Sequence, residues 1–254
     1  MKNKKNFLVI GNPIKHSLSP LLHNYWFHKN KINCEYKKLK TTQAEIKKIL
    51  IKVRKKEIEG INVTIPFKNS IIRHLDILKG DALKTSSVNT VYLNKKKLVG
   101  ENTDVYGFSC GVIKKVANRI KTAGIIGAGG VTSSIILALI QKGVKKIYIT
   151  NRTFSKLKIF KNKFKKIIYP IKWDGRYKFF INAQILINVT SLGMLGQKDL
   201  KFDFSIFDKK INVVDIVYNP ENTGFLRDAR KNGHKTFTGL DMFIYQAQKA
   251  FYIW

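Results

Sequence analysis

The sequence predicts an α/β protein made of two domains. Three observations carry that expectation. Short apolar runs alternate with segments of helical periodicity along the chain. Two strand-like segments bracket Lys95 and Lys96 as a hairpin that closes the first half. In the second half a glycine turn, Gly127-Ala128-Gly129-Gly130, joins an apolar strand to a helix, as in a doubly wound, Rossmann-type sheet.

In chain order, "NFLVIG" reads as the first strand, and Ser19 before Pro20 as the N-cap and first position of a helix. Leu21, Leu22, Tyr25 and Trp26 recur along it at helical spacing. Thr42 with Glu45 has the capping-box pattern, opening a helix to about Lys56. "GINVTIPF" is the next strand, with Pro66 ending its ladder, and a helix is expected from Ser70 to Lys79. "SVNTVYLN" and "KLVGENTD" form the hairpin, so the first domain is expected to span residues 1–103.

A helix from Asp104 to Asn118 opens the second domain, 104–238, and leads into "TAGIIGAGG" and a helix closed by Gly143. "KKIYITNR" follows, then a helix from Phe154 to Phe164. The apolar runs "KIIYPI", "QILINVTS" and "INVVDIVYNP" suit a parallel sheet covered on both faces. A helix before Gly233, the strand "KTFTG" and a last helix from about Asp241 complete the chain, with residues 239–254 expected to pack back on the first domain.

Composition narrows the class. With 254 residues and 44% hydrophobic content the chain can bury a sizeable core. Its longest apolar run, Ile135 to Ile140, is far short of the roughly 20 residues that span a bilayer. The apolar stretch Phe7 to Ile10 is too short for a signal peptide, so a soluble cytoplasmic protein without a membrane partner is expected. Cys34 and Cys110 lie far apart with no metal-ligand spacing, which fits a reducing compartment and no metal. The net charge of +32 would suit a polyanion, but the 41 lysines are spread over the whole length and no nucleic-acid motif accompanies them. The charge favours capture of small anionic ligands, and no specific nucleic-acid partner is expected. The chain is expected to be a monomer or a homodimer.

Three stretches carry chemistry. The glycine turn lets backbone approach a pyrophosphate at a helix N-terminus, although Thr132 occupies the third glycine position of the fingerprint. After the next strand, where an NAD-binding protein carries an acid, the chain places Asn151, Arg152, Thr153 and Lys156. A cation there favours a 2′-phosphate, so NADP is the expected cofactor. In "GNPIKHSLSP", Ser17 and Ser19 flank a helix start where two hydroxyls can meet a carboxylate, or simply cap the helix. In "NVTIPFK", strand alternation puts Asn62 and Thr64 on one face and leaves Lys68 at a strand end, where ligands bind in α/β sheets.

Together "GNPIKHSLSP", "NVTIPFK", "VNT", "ENTD", "GAGG", "NRT", "INVTS" and "GLDMFIYQAQKAF" resemble the shikimate dehydrogenase family, in order and along nearly the whole chain. The resemblance implies two α/β domains flanking a cleft and NADPH-dependent reduction of 3-dehydroshikimate to shikimate, in aromatic amino-acid biosynthesis. It implies Lys68 and Asp104 as the catalytic pair. Ser17, Ser19 and Tyr218 would hold the substrate carboxylate, and Asn62, Thr64, Asn89, Asp104 and Gln246 would contact ring hydroxyls. Gly127, Ala128, Gly129, Gly130, Asn151, Arg152, Thr153, Lys156, Thr190, Ile216, Gly239 and Met242 would line the cofactor. A broader quinate/shikimate dehydrogenase is the near alternative, and a basic nucleic-acid-binding protein on the same scaffold the distant one. Ser133 departs from the basic residue that the family often carries inside the glycine-turn helix, and Asp241 from its common glycine. Relatives usually continue beyond Trp254, which predicts weaker packing of the closing helix.

Overall fold

The computed structural model describes residues 4–116 and 119–254 and divides into two compact units. The first comprises Met1–Tyr106 with Gln246–Trp254, the second Gly107–Tyr245. Among the described residues, no helix is long and apolar enough to cross a membrane, and no group of three or more His, Cys, Asp or Glu could hold a metal ion.

In the first unit, β1 (Lys5–Gly11), α1 (Ser19–Lys29), β2 (Cys34–Lys40), α2 (Ile46–Arg54) and β3 (Gly60–Val63) alternate. They precede β4 (Ile77–Leu78), α3 (Asp81–Thr85), the hairpin β5 (Thr90–Asn94) and β6 (Lys97–Glu101), and the start of α4 (Asp104–Gly111). The sheet order is β2-β1-β3-β5-β6-β4; β1, β2 and β3 run parallel, and β5 lies antiparallel to both its neighbours. The period of two along β1 sends Phe7 and Val9 to one core, with Phe27 and Tyr36, while Ile10 joins the other, with Ile46, Leu50, Val53 and Ile61. In α2, Ile46, Ile49, Leu50 and Val53 are buried at i, i+3, i+4 and i+7, so the helix shows the sheet one apolar stripe. The hairpin turn carries Lys95 and Lys96 at φ 45° and 65°, the left-handed pair of a type I′ turn.

Four expectations change. The stretch Ser70–Lys79 is not one helix: a 3₁₀ turn covers Ser70–His74, Leu75 is extended, and β4 pairs with β6. Asp76 decides this, because its carboxylate accepts from the Arg54 guanidinium at 2.8 Å and the Leu98 amide at 2.6 Å, and so holds the chain extended. The helix expected over Asp104–Asn118 ends at Gly111, followed by a 3₁₀ turn at Ile113–Lys115; Asn118 lies outside the described residues. Ser19 does not cap α1; it is already helical, and its amide donates to Ser17 Oγ at 3.3 Å. Glu45 accepts from both the amide and the hydroxyl of Thr42, so only the glutamate half of the capping box forms and α2 starts at Ile46. The edge strand β2, with exposed Lys37, Lys38 and Lys40, was hidden by its charge.

The second unit contains β7 (Thr122–Ile126), α5 (Thr132–Gln141), β8 (Lys146–Thr150), α6 (Lys158–Phe164) and β9 (Ile168–Ile171). It continues through α7 (Arg176–Phe180), β10 (Ile185–Asn188), β11 (Asn212–Asp215), α8 (Gly224–Lys231), β12 (Lys235–Phe237) and α9 (Gly239–Ile253), whose residues from Gln246 onward belong to the first unit. All six strands are parallel in the order β12-β11-β10-β7-β8-β9. Numbered within the unit this is 3-2-1-4-5-6 read from the β9 edge, the Rossmann arrangement, with its switch point between β7 and β10. Pro170 sits in the edge strand β9, where a missing amide costs no ladder bond on the open side. The last helix starts at Gly239, two residues before Asp241.

Candidate active site and nucleotide cradle

Lys68 reaches the site because β3 stops. The Thr64 amide makes a last bond to Ile10 O at 2.9 Å, Pro66 has no amide to give, and the Phe67 amide turns back to Thr64 O at 2.9 Å. One residue later the Lys68 carbonyl accepts from the Val88 amide, so its backbone is anchored beside the segment that leads through Asn89 into β5. Its Nζ lies 2.6 Å from Asp104 Oδ2, with the two side chains 12% and 6% exposed. A pair so shielded from water is far less screened than a surface ion pair.

Asp104 is held at the N-terminus of α4, where the helix dipole favours a carboxylate. Asn102 Oδ1 accepts from the amides of Asp104 and Val105 at 3.0 and 3.3 Å, acting as the cap. Asn89 Nδ2 donates to Asp104 Oδ1 at 2.9 Å, to Thr103 Oγ1 at 2.8 Å and, at 3.4 Å, to Gln246 Oε1. Asn62 Nδ2 donates to Asn89 O at 2.9 Å and to Thr90 Oγ1 at 3.1 Å. Five of the expected residues, Lys68, Asp104, Asn89, Asn62 and Gln246, therefore meet in one hydrogen-bonded cluster within the first unit. Asn102, Thr103 and Tyr36 complete it, and sequence reading missed them. Asn102, two residues before Asp104 in "ENTD", carried the signal of an Asx cap.

Ser17, Ser19 and Thr64 take no part in that cluster among the described residues. Ser17 is half-buried and Ser19 buried at the start of α1. The Thr64 methyl lies against Gly11, where a β-carbon would come within 2.4 Å of it. Tyr218 belongs to the second unit, where its ring stacks on Phe243 at 4.4 Å.

The glycine turn follows β7 at the switch point. Gly127 has φ +118°, and a β-carbon there would meet Thr190 Cγ2 at 2.8 Å, so only glycine lets this turn lie against the Thr190 loop. Its amide donates to Thr150 O at 2.8 Å, while Ala128, Gly129 and Gly130 stay partly or fully exposed. The first turn of α5 carries no acid to oppose an anion. Beyond the end of β8, Arg152, Thr153 and Lys156 are exposed, Asn151 is half-buried with its Nδ2 on Thr153 O, and no salt bridge among the described residues includes Arg152 or Lys156. These donors fit a phosphorylated dinucleotide: backbone for the pyrophosphate and free cations for a 2′-phosphate.

Behind the cradle is a carboxylate that sequence reading passed over. Asp215, at the end of β11 and with no exposed surface, accepts from Asn188 Nδ2 (3.0 Å), the Val217 amide (3.0 Å) and Thr223 Oγ1 (2.7 Å). Desolvation raises its pKa to about 6, against the pull of those three donors. Asn188 in turn accepts from the amide and hydroxyl of Thr190, so one buried acid ties the Thr190 loop to the Ile216–Val217 segment. Gly239 closes the region: a β-carbon there would come 2.1 Å from Ile216 O, and one on Gly111 2.5 Å from the Met242 amide nitrogen. An acid inside the apolar run "INVVDIV" was the available signal.

Two family models match the chain: the shikimate dehydrogenase substrate binding domain over residues 9–91 and shikimate/quinate 5-dehydrogenase over residues 112–218. The NADP(+) shikimate dehydrogenase of Pelagibacter ubique is 46% identical over 252 residues, covering 99% of this chain and 93% of that protein. The crystal structure of shikimate dehydrogenase from Aquifex aeolicus superposes with a TM-score of 0.89 at 32% identity, covering 100% of this chain and 94% of that one. That of shikimate 5-dehydrogenase from Thermus thermophilus, in complex with NADP(H) and shikimate, gives 0.87 at 29% identity, covering 98% and 93%. With the Rossmann-ordered sheet, the glycine cradle and the Lys68–Asp104 pair in place, the chain belongs to the shikimate dehydrogenase family.

Proposed function

We propose that this protein catalyses the NADPH-dependent reduction of 3-dehydroshikimate to shikimate, reversibly, as a cytoplasmic enzyme of aromatic amino-acid biosynthesis. Residues 1–103 with the last helix, 239–254, form its substrate domain, and 104–238 its NADP domain. The observation that carries the reading is the shielded Lys68–Asp104 pair at 2.6 Å, buttressed by Asn89.

Bound NADPH supplies the hydride to the substrate carbonyl carbon. As the carbonyl oxygen gains negative charge, Lys68 donates a proton from its ammonium to that oxygen, giving the new hydroxyl. Asp104, whose Oδ2 holds Nζ, keeps the ammonium aimed and its charge compensated, and a proton from water then restores the lysine. Asn62, Asn89 and Gln246 present amide groups to the ring hydroxyls; Ser17, Ser19 and Tyr218 take the carboxylate, and Thr64 borders the ring. The cofactor would be held by Gly127 to Gly130 at the pyrophosphate and by Asn151, Arg152, Thr153 and Lys156 at the 2′-phosphate, with Thr190, Ile216, Gly239 and Met242 lining the rest of its site. Free Cys34 and Cys110 support a reducing compartment.

The test is NADPH oxidation by the purified protein with 3-dehydroshikimate, run beside NADH and dehydroquinate. Turnover with NADPH and 3-dehydroshikimate well above both controls is expected. Preference for dehydroquinate or NADH would replace this reading with the broader quinate/shikimate one.

A further inference from the structure

Tyr36 is buried to 1% exposure, and its backbone, ring and hydroxyl are each held by side chains from other elements of the first unit. Its backbone amide and carbonyl are clasped by one side chain: Asn24 of α1 accepts from the Tyr36 amide at 2.8 Å and donates to its carbonyl at 2.9 Å. Its ring stacks on His23, with centroids 4.3 Å apart and planes 1° from parallel, and Trp254 lies beyond at 6.1 Å. Its hydroxyl donates to Asn62 Oδ1 at 2.7 Å.

The consequence falls on Asn62. A carboxamide has two N–H donors and an oxygen with two acceptor sites. Both donors are committed, to Asn89 O and Thr90 Oγ1, and one acceptor site is filled by Tyr36. What remains is a single acceptor site on Oδ1: the Asn89 carbonyl, which can only accept, sets which way round the amide sits, and the Tyr36 hydroxyl holds its oxygen end in place. We propose that Tyr36 is a positioning residue that acts through Asn62, holding its Oδ1 in place as an acceptor for a substrate hydroxyl that must donate. The inference rests on the dehydrogenase reading and adds the polarity of one substrate contact. It also links α1, which begins at Ser19 two residues after Ser17, to the Lys68 cluster through an unbroken path: Asn24, Tyr36, Asn62, Asn89, Asp104.

Tyr36→Phe keeps the ring, the His23 stack and the Asn24 clasp, and removes only the hydroxyl. Loss of one oriented neutral hydrogen bond should raise KM for 3-dehydroshikimate roughly 3- to 15-fold, with kcat within about threefold and NADPH Kd unchanged. In an Asn62→Ala background the same change should shift KM less than about twofold, because the residue it acts through is gone. In nitrogen–proton spectra, the side-chain NH₂ pair of Asn62 should move in Tyr36→Phe without substrate present. Unchanged KM, full multiplication of the two effects, an unmoved Asn62 pair or a variant that no longer folds would each overturn the proposal. The outcomes separate cleanly: a wild type inactive with 3-dehydroshikimate sinks the functional reading itself, whereas an active wild type with an indifferent Tyr36→Phe sinks only the positioning role.

Discussion

His23 lies face to face with Tyr36, and neither of its ring nitrogens has a hydrogen-bond partner among the described residues. Among Trp26, Phe27, Phe251 and Trp254 the imidazole behaves as an apolar plate, and burial lowers its pKa to about 3. The unfolded chain therefore binds a proton at His23, from about pH 6.5 downward, that the folded protein refuses. Stability contributed by the neutral ring is complete above about pH 6.5 and is lost as pH falls toward about 3. His23→Phe removes the titration and keeps an aromatic plate. Relative to that variant, the wild type should lose about 1.4 kcal/mol per pH unit over this window. Denaturant unfolding at pH 7, 6, 5 and 4 measures it, and a pH-independent difference would mean the imidazole finds a proton partner.

Asp215 should show the opposite sign. Its folded pKa is raised to about 6 by desolvation, so the folded state holds the proton more tightly than the unfolded chain, whose carboxyl titrates near 3.9. The stability linked to this group is fully present below about pH 4 and is lost as pH rises through about 6. Compared with Asp215→Asn, the wild type should become less stable by about 1.4 kcal/mol per pH unit across that interval and then run parallel. Since Asp215 also joins the Thr190 loop to the Ile216–Val217 segment, the same variant should weaken NADPH binding; titration calorimetry at pH 7.5 reads this directly.

The proposed basis of the cofactor preference is tested at Arg152. If its guanidinium takes the 2′-phosphate, Arg152→Ala should cost NADPH roughly 1.5 to 3 kcal/mol of binding, one charge-assisted hydrogen bond, and leave NADH nearly unchanged. Equal losses for both nucleotides would return Arg152 to the solvated surface.

The alternation of β and α, the glycine turn and the hairpin at Lys95–Lys96 were legible because each depends on local chemistry: period-two burial, a missing β-carbon, a tight turn. Lys68 was legible as a candidate at a strand end, but Asp104, Asn89 and Gln246 only through resemblance, since nothing in spacing says that Lys68 and Asp104, 36 residues apart, lie within 2.6 Å. Where a distant partner decided the local structure, sequence reading failed. Asp76 pulled Ser70–Lys79 out of helix by bonding Arg54 and Leu98, and β2 formed because β1 offered it an edge although four of its seven residues are exposed. Tyr36 and Asp215 escaped for the same reason: their importance lies in partners 26 and 27 positions away.

The proton donor is tested at Lys68. If Lys68 is the acid, its proton is needed only as hydride arrives, so Lys68→Ala should lower kcat by roughly 10² to 10⁴ while KM for 3-dehydroshikimate moves little. Asp104→Ala should damage both constants, because that carboxylate holds Nζ through Oδ2 and Asn89 through Oδ1. It also strips a shielded ammonium of its counter-charge, which should lower stability measurably where Lys68→Ala at 12% side-chain exposure does so less. The kinetic losses should not multiply: with the pair acting as a unit, the double variant should resemble the worse single one. Lys68→Arg separates the two things a lysine offers. Arginine keeps the positive charge and does not give up its proton, so a role in charge stabilisation would largely survive the change and proton transfer would not. A kcat near wild type in Lys68→Ala at saturating substrate would mean that the acid is another group, and Lys68 merely the ion-pair partner of Asp104.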